Sequence, residues 1–368
     1  MRSGEKMKKI LVINTINYVI GGMSTVIMNY FENINPRKYQ MDFIINENIA
    51  PKYLDLLDSK GAKYYYITRK KNPLKYFLEL KKVIKDNHYD IVHIHGNSCT
   101  MAIDTMAAKL GGCRCVIAHS HNSTCKHIMV HKLLRPFFEF SCNKRLACSN
   151  AAGKWLFGKK SFTVIENALD IEKYRFDTKK RNKYRSKMNV RENEIVIGHV
   201  GLFNEQKNHA FIIELARHLI IDKKQNVHFM LVGEGRLMKE TKKLCRQYGI
   251  KDNVTFCGTT NDIPGVMSAM DIFLFPSKWE GLGIVMIEAQ LMGLPCVASS
   301  EVPMDTKISD SCKYLSLNDD ITEWTEAVMS SGKKSLENKK HMLKLKNTER
   351  FDMNVQIRKL ESFYDSCR

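Results

Sequence analysis

The sequence predicts an α/β protein built from two doubly wound parallel-sheet domains in tandem. The chain has 368 residues, too many for one ordinary core and enough for two domains of roughly 150 to 200 residues each. Short apolar runs alternate with helix-length amphipathic stretches, and this alternation stops in a polar stretch near the middle of the chain and then restarts. Such a rhythm is typical of βαβ units.

The first half supplies the strands and helices of an amino-terminal domain. Strand-like and helix-like segments occur in this order: residues 9–14, 24–31, 41–46, 51–60, 63–67, 74–87, 91–95, 99–110 and 115–119. The polar stretch that follows, 159–193, contains Ile165-Glu-Asn-Ala-Leu-Asp170 and a run of basic residues at 179–185. We place the domain boundary near Ile165.

The second half repeats the pattern and ends in helices. Its segments are residues 195–200, 210–219, 228–232, 236–248, 254–257, 271–275, 284–292 and 296–299. The last amphipathic stretch, 351–364, carries apolar residues at 353, 357, 360, 363 and 364, which share one helical face. That face predicts a helix docked on another part of the protein.

Composition narrows the class of protein. Hydrophobic residues make up 44% and charged residues 26% of the chain, the balance of a globular protein. No apolar run reaches the ~18 to 20 residues of a membrane span, and the basic start is followed by too short an apolar segment for a signal peptide. We expect a cytoplasmic protein, with peripheral attachment to the inner face of the plasma membrane left open. The eleven scattered cysteines predict reduced, structural thiols.

Positive charge is concentrated in the first half. Residues 1–175 hold 28 lysines and arginines against 14 acidic residues, whereas residues 176–368 hold 30 against 25. This asymmetry suits an anionic membrane surface or an anionic acceptor, and a merely solvated lysine-rich face is the alternative. The basic runs lack interleaved aromatic residues and a recognition module, so we expect no nucleic acid partner.

Polar residues follow several predicted strands of the first domain, at the edge where α/β proteins bind ligands. Gly22 follows the first strand and opens a helix, where an anion could approach backbone amides. Four histidines, at 93, 95, 119 and 121, are gathered at the ends of two neighbouring strands. Because no third segment supplies a cysteine or carboxylate, we expect no metal. A histidine that donates to a phosphate and a buried, satisfied histidine both remain open.

The second domain has two such strand ends. Gly201 and the polar loop up to Lys207 and Asn208 enter a helix, which suits an anion site. The Val232-Gly-Glu-Gly-Arg236 segment resembles a dinucleotide fingerprint, but no complete Gly-x-Gly-x-x-Gly follows a strand, so we expect no nicotinamide, flavin or other cofactor.

The most informative stretch runs from Pro276 to Glu288. Residues 271–275 form a buried strand, 276–283 a loop and 284–292 a helix. On one continuous helix Glu280 and Glu288 would be separated by ~12 Å of rise, too far for a pair of catalytic carboxylates. With Glu280 in the loop, the two carboxylates instead bracket a ligand whose phosphates meet the amides of residues 281–284. A sugar nucleotide has both kinds of group.

These residues resemble a known family. The stretch resembles the signature of retaining GT-B glycosyltransferases of family 4, the group 1 glycosyl transferases. Seven residues separate Glu280 from Glu288; Phe-Pro-Ser precedes the pair, and Ala289-Gln-Leu-Met-Gly-Leu-Pro-Cys-Val297 follows it. The other matching features, in family order, are Gly22, the histidine after the fifth strand, 165–170, 201–208, 231–235 and 258–262. Within the family the chain most resembles bacterial exopolysaccharide and capsule enzymes, which share its Ala118-His-Ser-His-Asn122 stretch.

The resemblance implies a fold and a division of labour. Two Rossmann-like domains would face a cleft, with the acceptor domain at 1–165, the nucleotide-sugar domain at 166–345, and a helix within 346–368 docking back on the first. Glu288 would bind the nucleotide ribose and Glu280 the donor sugar. Lys207 and the amides of Gly281, Leu282, Gly283 and Ile284 would hold the diphosphate.

It also implies the remaining roles. His121, or His119 in its place, would stand near the reacting carbon, Gly22 would admit phosphates, and Gly201 and Asn208 belong to the donor loop. No metal is required, because lysine and helix amides neutralise the leaving group. The partners would be a nucleotide sugar, expected to be UDP-linked, and a carbohydrate or polyprenyl-diphosphate-linked acceptor.

Two positions depart from the family pattern. Leu202 stands where an arginine usually helps to hold the diphosphate, so activity is weakened unless another cation such as Arg236 substitutes. Ala168 stands where glycine is usual. A catalytically impaired homologue that only binds nucleotide sugar, and a UDP-sugar epimerase of the same architecture, are therefore the alternative functions.

Overall fold

The computed structural model describes residues 7–19, 22–69, 72–338, 345–346 and 348–367, with the backbone alone for 333–338. The chain divides into two compact units. The first comprises Met1–Leu169 and Glu349–Arg368, and the second comprises Asp170–Thr348. Each unit contains one parallel sheet covered by helices, so the predicted fold class is confirmed.

The first unit contains a seven-stranded parallel sheet in the order β3-β2-β1-β4-β5-β6-β7. Its elements are β1 (Lys8–Asn14), α1 (Gly22–Asn33), β2 (Tyr39–Ile45), α2 (Pro51–Ser59), β3 (Tyr64–Tyr66), α3 (Pro73–Asn87), β4 (Ile91–Gly96), α4 (Ala102–Leu110), β5 (Cys115–Ser120), α5 (Ile128–Ser141), β6 (Lys144–Ala147), α6 (Asn150–Phe157) and β7 (Thr163–Val164). Ile10 and Val12 of β1 belong to the core on one side of the sheet, and Leu11 and Ile13 belong to the core on the other. Because β1 is buried on both faces, it is a continuous apolar run.

The second unit contains a six-stranded parallel sheet in the order β10-β9-β8-β11-β12-β13. Its elements are α7 (Thr178–Lys187), β8 (Ile195–Val200), α8 (His209–Arg217), β9 (Val227–Val232), α9 (Met238–Gln247), β10 (Val254–Phe256), α10 (Ile263–Ala269), β11 (Ile272–Phe275), α11 (Ile284–Leu291), β12 (Cys296–Ser299), β13 (Cys312–Leu315) and α12 (Ile321–Asn338). The chain winds outward from β8 in one direction and from β11 in the other. The carboxyl ends of these two strands therefore form the switch point at which doubly wound sheets bind ligands.

The last helix, α13 (Met353–Asp365), packs on the first unit, as predicted. Its Tyr364 is fully buried, and the Lys8 Nζ donates to the carbonyl oxygens of Tyr364 at 2.7 Å and Cys367 at 3.0 Å. The first unit is therefore completed by residues that follow the second unit in the chain. Ala168, the departure from glycine, is buried in the same core.

Several elements differ from the prediction. The basic run that was assigned to a polar linker is the helix α7, because Arg181 and Arg185 reach the buried Asp271 at 2.9 and 3.0 Å. The short strands β6, β7 and β13 and the helices α5, α6 and α10 were not predicted either.

The prediction that all cysteines are reduced is wrong for two of them. Cys115 at the start of β5 and Cys367 after α13 form a disulfide, and their Cα atoms lie 5.9 Å apart. Docking of the last helix brings the two thiols together across 252 residues of sequence. The other nine cysteines are free.

Candidate functional site

The site in the second unit lies where β8 and β11 end. β11 is fully buried and leads into the loop 276–283, after which α11 begins. Gly283 at the start of α11 has φ +80°, and a Cβ atom there would lie 3.1 Å from the Phe275 ring. The turn from strand to helix therefore requires glycine, both for its left-handed backbone and for its missing side chain.

Lys207 and Glu280 meet at this edge of the sheet. The Lys207 Nζ lies 2.5 Å from the Glu280 Oε1, and the Gln206 Nε2 donates to the Glu280 Oε2 at 3.1 Å. Only 15% of the lysine side chain and 6% of the glutamate side chain are exposed. A buried ion pair with satisfied oxygens holds its geometry, so the charged groups of the two loops are fixed relative to one another.

Gly201 makes room for this lysine. A Cβ atom at position 201 would lie 3.1 Å from the Lys207 Cγ and 3.2 Å from its Cδ. The Lys207 backbone N–H donates to the Asn204 Oδ1 at 3.1 Å, and Asn208 adopts the left-handed conformation with φ 55° before α8 begins. The predicted donor loop thus aims the Lys207 ammonium group across Gly201 and toward Glu280.

Glu288 has a different environment. It lies on α11, partly exposed, and its Oε1 accepts a hydrogen bond from the Tyr174 hydroxyl at 2.7 Å. Burial raises the pKa of the Glu288 carboxyl to about 7, although the tyrosine bond favours the ionised form. Sequence reasoning did not find Tyr174, because 114 residues separate it from its partner and no motif marks it.

The loops after β8 and β9 pack directly on one another. A Cβ atom on Gly233, whose φ is +133°, would lie 2.1 Å from the Gly201 carbonyl oxygen. The Phe203 N–H donates to the Glu234 carbonyl at 2.9 Å. This contact extends the strand pairing of β8 and β9 into the loops and fixes the backbone beneath Lys207.

Leu202 and Arg236 both lie on the surface of these loops. Leu202 is 46% exposed, and the Arg236 Nη2 lies 2.7 Å from the Glu205 Oε1 in an exposed ion pair. Arg236 would have to leave Glu205 to contact a diphosphate, which costs little for an exposed pair.

Two buried histidines under the donor loop were also missed. The His199 Nδ1 lies 2.9 Å from the Leu274 carbonyl oxygen, and the His209 ring stacks on Phe203 with centroids 3.8 Å apart. Burial lowers the pKa of His199 well below its usual range and that of His209 to about 4. Both rings are therefore neutral, and they pack beneath the loop that carries Lys207. His199 directly precedes the donor loop and His209 follows it, a signal that could have been read from the sequence.

In the first unit the four predicted histidines lie side by side on one face of the sheet. The His93 Nδ1 is 2.6 Å from the Tyr364 hydroxyl and its Nε2 is 3.1 Å from the His119 Nδ1, while the His95 Nδ1 is 2.9 Å from the His121 Nε2. His93, His95 and His119 line a small cavity of about 10 Å³, room for about one water molecule.

Burial lowers the pKa of all four imidazoles, to about 3 for His93 and His121. Among the described residues, the His119 Nε2 and the His121 Nδ1 find no hydrogen-bond partner. Each of these two histidines thus has one ring nitrogen without a described partner at the carboxyl end of β5. A histidine that donates to a phosphate remains a prediction.

One ring nitrogen from each of His93, His95 and His119 lies within 4.8 Å of the other two, the arrangement of a three-ligand metal site. However, both nitrogens of His93 are engaged in hydrogen bonds, and the described surroundings offer no anionic ligand to balance a buried divalent charge. We therefore assign no metal to this cluster.

Gly22 has φ +48° at the start of α1 and no atom within 4 Å of the place of a Cβ. In the second unit the structure thus brings Gly201, Lys207 and Glu280 together and gives Glu288 a separate partner. Of the predicted residues of the first unit, Gly22 begins α1 after β1, His119 is the second-last residue of β5, and His121 directly follows β5.

Comparison with known proteins assigns both units. The family model "Glycosyl transferases group 1" matches residues 180–350, and "Glycosyltransferase Family 4" matches residues 20–173. The chain is 31% identical over 326 residues to "Putative glycosyltransferase EpsF" of Bacillus subtilis, with 84% of either chain covered. It is 29% identical over 301 residues, 77% of either chain, to an Escherichia coli enzyme named UDP-Gal:alpha-D-GlcNAc-diphosphoundecaprenol alpha-1,3-galactosyltransferase. Among solved structures, Anabaena HepE in complex with UDP-glucose is similar in fold, with a TM-score of 0.78 at 18% identity over 97% of this chain and 99% of that one.

Proposed function

The chain belongs to the group 1, family 4 glycosyltransferases and has their GT-B fold, and from that premise we propose that it transfers a sugar from a UDP-sugar to a lipid-linked acceptor with retention and without a metal ion. It is a glycosyltransferase of bacterial polysaccharide synthesis, like the relatives it matches. The observation that carries the finer proposal is the Lys207–Glu280 pair at the switch point of the second sheet.

The donor is held by three groups in this proposal. The Lys207 ammonium group, which lies 2.5 Å from Glu280, also contacts the donor diphosphate. The backbone amides of residues 281–284 contact the same diphosphate. Glu280 accepts hydrogen bonds from hydroxyls of the donor sugar. Glu288 accepts from the ribose hydroxyls, which suits its place on α11 beside the Tyr174 hydroxyl.

The reaction proceeds on one face of the donor sugar. The bond between the anomeric carbon and the UDP oxygen breaks, the acceptor oxygen bonds to that carbon from the same face, and the acceptor proton passes to the leaving phosphate oxygen. No enzyme nucleophile is needed. The charge that develops on UDP is stabilised by Lys207 and the helix amides, which is why the proposal requires no metal. The proposal assigns to His121, whose Nδ1 has no described partner, the role beside the reacting carbon that the family resemblance implies.

A lipid-linked acceptor is supported by two observations. The Escherichia coli relative is named for a diphosphoundecaprenol acceptor. The first 175 residues of this chain carry 28 basic residues against 14 acidic ones, which suits the diphosphate of such a carrier.

The deciding experiment is calorimetric titration of UDP into Glu288→Ala. We expect UDP binding to fall below detection, because the ribose contact is lost and a cavity is left beside Tyr174. Glu326→Ala, on the exposed side of α12, is the matched control and should bind UDP as the unchanged protein does. Unaltered UDP affinity in Glu288→Ala would refute the donor assignment. A thermal-shift screen of UDP, GDP and ADP sugars then identifies the donor.

The exposed Leu202 favours a second candidate, a homologue that binds the donor and transfers it poorly. Leu202→Arg separates the two. A large rise in the rate of UDP release from the UDP-sugar would establish impairment, whereas an unchanged rate would show that the existing groups suffice. Conversion of the sugar to its epimer in the absence of acceptor would instead establish the epimerase.

A further inference from the structure

Helix α5 exposes a stripe of large apolar side chains. Met129, Leu133, Phe137 and Phe140 are 79%, 72%, 55% and 65% exposed. They follow one another at intervals of four, four and three residues, which places them on one side of the helix. We call these four side chains the α5 face. Soluble surfaces rarely leave so many large apolar groups side by side unless the patch binds something.

The fold does not need the α5 face. The other side of the helix makes the packing contacts: Phe138 is buried in the core, and the His131 ring stacks on Trp155 with centroids 5.1 Å apart. The Arg135 Nη2 donates to the Leu156 carbonyl at 3.1 Å and ties α5 to α6. Apart from the contact of Phe140 with Lys109, the α5 face therefore lies on the side of the helix opposite these packing contacts.

The surroundings of the α5 face are strongly basic. Between positions 109 and 160 the chain has ten lysines and arginines and a single acidic residue. That residue, Glu139, is already paired with Arg135 and Lys160. Lys126, just before α5, and Lys132, on α5, are exposed. The Lys109 Nζ lies 3.6 Å from the centroid of the Phe140 ring. An apolar stripe bordered by cations matches an anionic surface with an apolar interior.

We propose that the α5 face docks on an anionic phospholipid surface, an inference that rests on the proposed function for its lipid-linked acceptor. The apolar side chains enter the boundary of the acyl chains, and the lysines contact lipid phosphates. The helix lies on the surface, because its 14 residues span only ~21 Å, less than the ~30 Å hydrocarbon core. No helix in the described part of the chain is long and apolar enough to cross a bilayer.

Charge argues against a second copy of the chain as the occupant. In a symmetric dimer the same patch would face itself, and Lys126 and Lys132 of one copy would come close to those of the other. A partner of opposite charge removes this repulsion, whereas a self-contact increases it. The lipid surface is therefore the occupant that the described residues favour.

Docking through α5 would bring substrate and site together. The helix begins eight residues after β5 ends, and in a doubly wound sheet its first turn lies at the edge formed by the carboxyl ends of the strands. His121 lies at the same edge, directly after β5. A membrane in contact with α5 thus lies close to this edge, where the diphosphate of a lipid-linked acceptor would arrive.

The test is co-sedimentation of the full chain with vesicles of two compositions. One contains equal parts of phosphatidylglycerol and phosphatidylethanolamine, and the other contains phosphatidylcholine alone. The unchanged protein should bind the anionic vesicles, and Met129→Ser/Leu133→Ser/Phe137→Ser should bind them at least ~30-fold more weakly. Lys126→Gln/Lys132→Gln should lose on the order of 30-fold on anionic vesicles alone. Ile221→Ser, an exposed apolar residue of the second unit, should bind as the unchanged protein does.

Each outcome decides one question. Equal binding of the unchanged protein to both vesicle types, or anionic vesicle binding by the triple variant equal to that of the unchanged protein, overturns the proposal. A concentration-dependent dimer that the triple variant abolishes would also overturn it, since the α5 face would then join two copies. Thermal melting of the triple variant should match that of the unchanged protein. UDP titration of the same samples is independent of docking: retained UDP binding with no vesicle binding rejects docking and leaves the donor site standing.

Discussion

The carboxyl edges of the two sheets carry opposite kinds of chemistry. In the second unit, charged and hydrogen-bonding side chains from loops and a helix meet: Lys207 with Glu280, and Glu288 with Tyr174. In the first unit, four buried imidazoles, three on strands and His121 directly after β5, hydrogen-bond one another and remain neutral. The same architecture thus carries charged side chains at the carboxyl edge of one sheet and uncharged imidazoles at that edge of the other.

This difference indicates which edge can bind a charged ligand. Charged groups on loops and backbone amides at a helix start can contact a bound anion, as a diphosphate site requires. Imidazoles fixed on strands and cut off from water keep one protonation state over a wide pH range. We therefore expect donor chemistry to depend on pH and on single charges, and the first unit to depend on pH only through its stability.

Acidification should destabilise both units and the first unit more. Burial lowers the pKa of His199, His209 and His228 in the second unit, which are fewer imidazoles than in the described part of the first. The pKa values of His93, His95, His119 and His121 are lowered by burial, so below pH 6.5 the unfolded chain takes up protons that the folded unit does not. The stability contribution is complete above the unfolded pKa and is lost as the pH falls below it, by about 1.4 kcal/mol per pH unit for each imidazole and about 5.5 kcal/mol per pH unit for all four.

Hydrogen exchange of the full chain between pH 7 and pH 5 measures this loss unit by unit. His95→Gln should make the decline shallower, while His127→Gln, at an exposed position, should leave it as it is. Equal acid sensitivity of the two units would break the comparison.

Loss of one charge should affect the second unit next most. Lys207→Ala removes the cation that the proposal assigns to the leaving diphosphate, and kcat for UDP release should fall by roughly 100- to 1000-fold. Lys239→Ala on the exposed side of α9 is the control. A change of less than about threefold in Lys207→Ala would remove Lys207 from the mechanism.

A smaller effect should appear in the pH dependence of donor binding. Because the pKa of Glu288 is raised to about 7, its carboxylate is lost as the pH falls through that value, and UDP should bind about tenfold more weakly per pH unit below it. Calorimetry from pH 5.5 to pH 8.5 measures the slope. Glu288→Gln, which does not titrate, should show a flatter profile. Identical profiles of the variant and the unchanged protein would show that Glu288 does not cause the pH dependence.

The smallest effect belongs to Tyr174→Phe. The tyrosine hydroxyl favours the ionised carboxylate, so its removal should raise the pKa of Glu288 further and move the midpoint of the binding profile to higher pH by about one unit or less. Tyr184→Phe removes a hydroxyl that lies 3.3 Å from Asp262 and serves as the matched control. An unchanged midpoint would show that the Tyr174 hydroxyl does not affect the pKa of Glu288 and that the residue only packs beside it.

Sequence reasoning found the fold and the charged loops for one physical reason. Parallel strands are buried apolar runs, and whatever follows them lies at one edge, so Lys207 and Glu280 could be placed together before any contact was known. Tyr174 could not be found in this way, because its bond to Glu288 depends on the path of the chain between them. The α7 helix was missed because arginines bonded to Asp271, and not an apolar stripe, hold it in place.

Helix α5 was missed for the opposite reason. Its apolar residues lie on the exposed side as well as on the buried side, so its periodicity does not distinguish a core helix from a loop. The Cys115–Cys367 disulfide depends on the docking of α13, which composition does not reveal.

The return of α13 to the first unit also fixes an order of assembly on the ribosome. The second unit, Asp170–Thr348, is continuous in the chain and can fold as soon as it emerges. The first unit is synthesised earlier but lacks Tyr364, the partner of His93, until the last helix is made. The unit that is translated first is therefore finished last, and its unfilled hydrophobic face is the part of the nascent chain that a chaperone would have to cover.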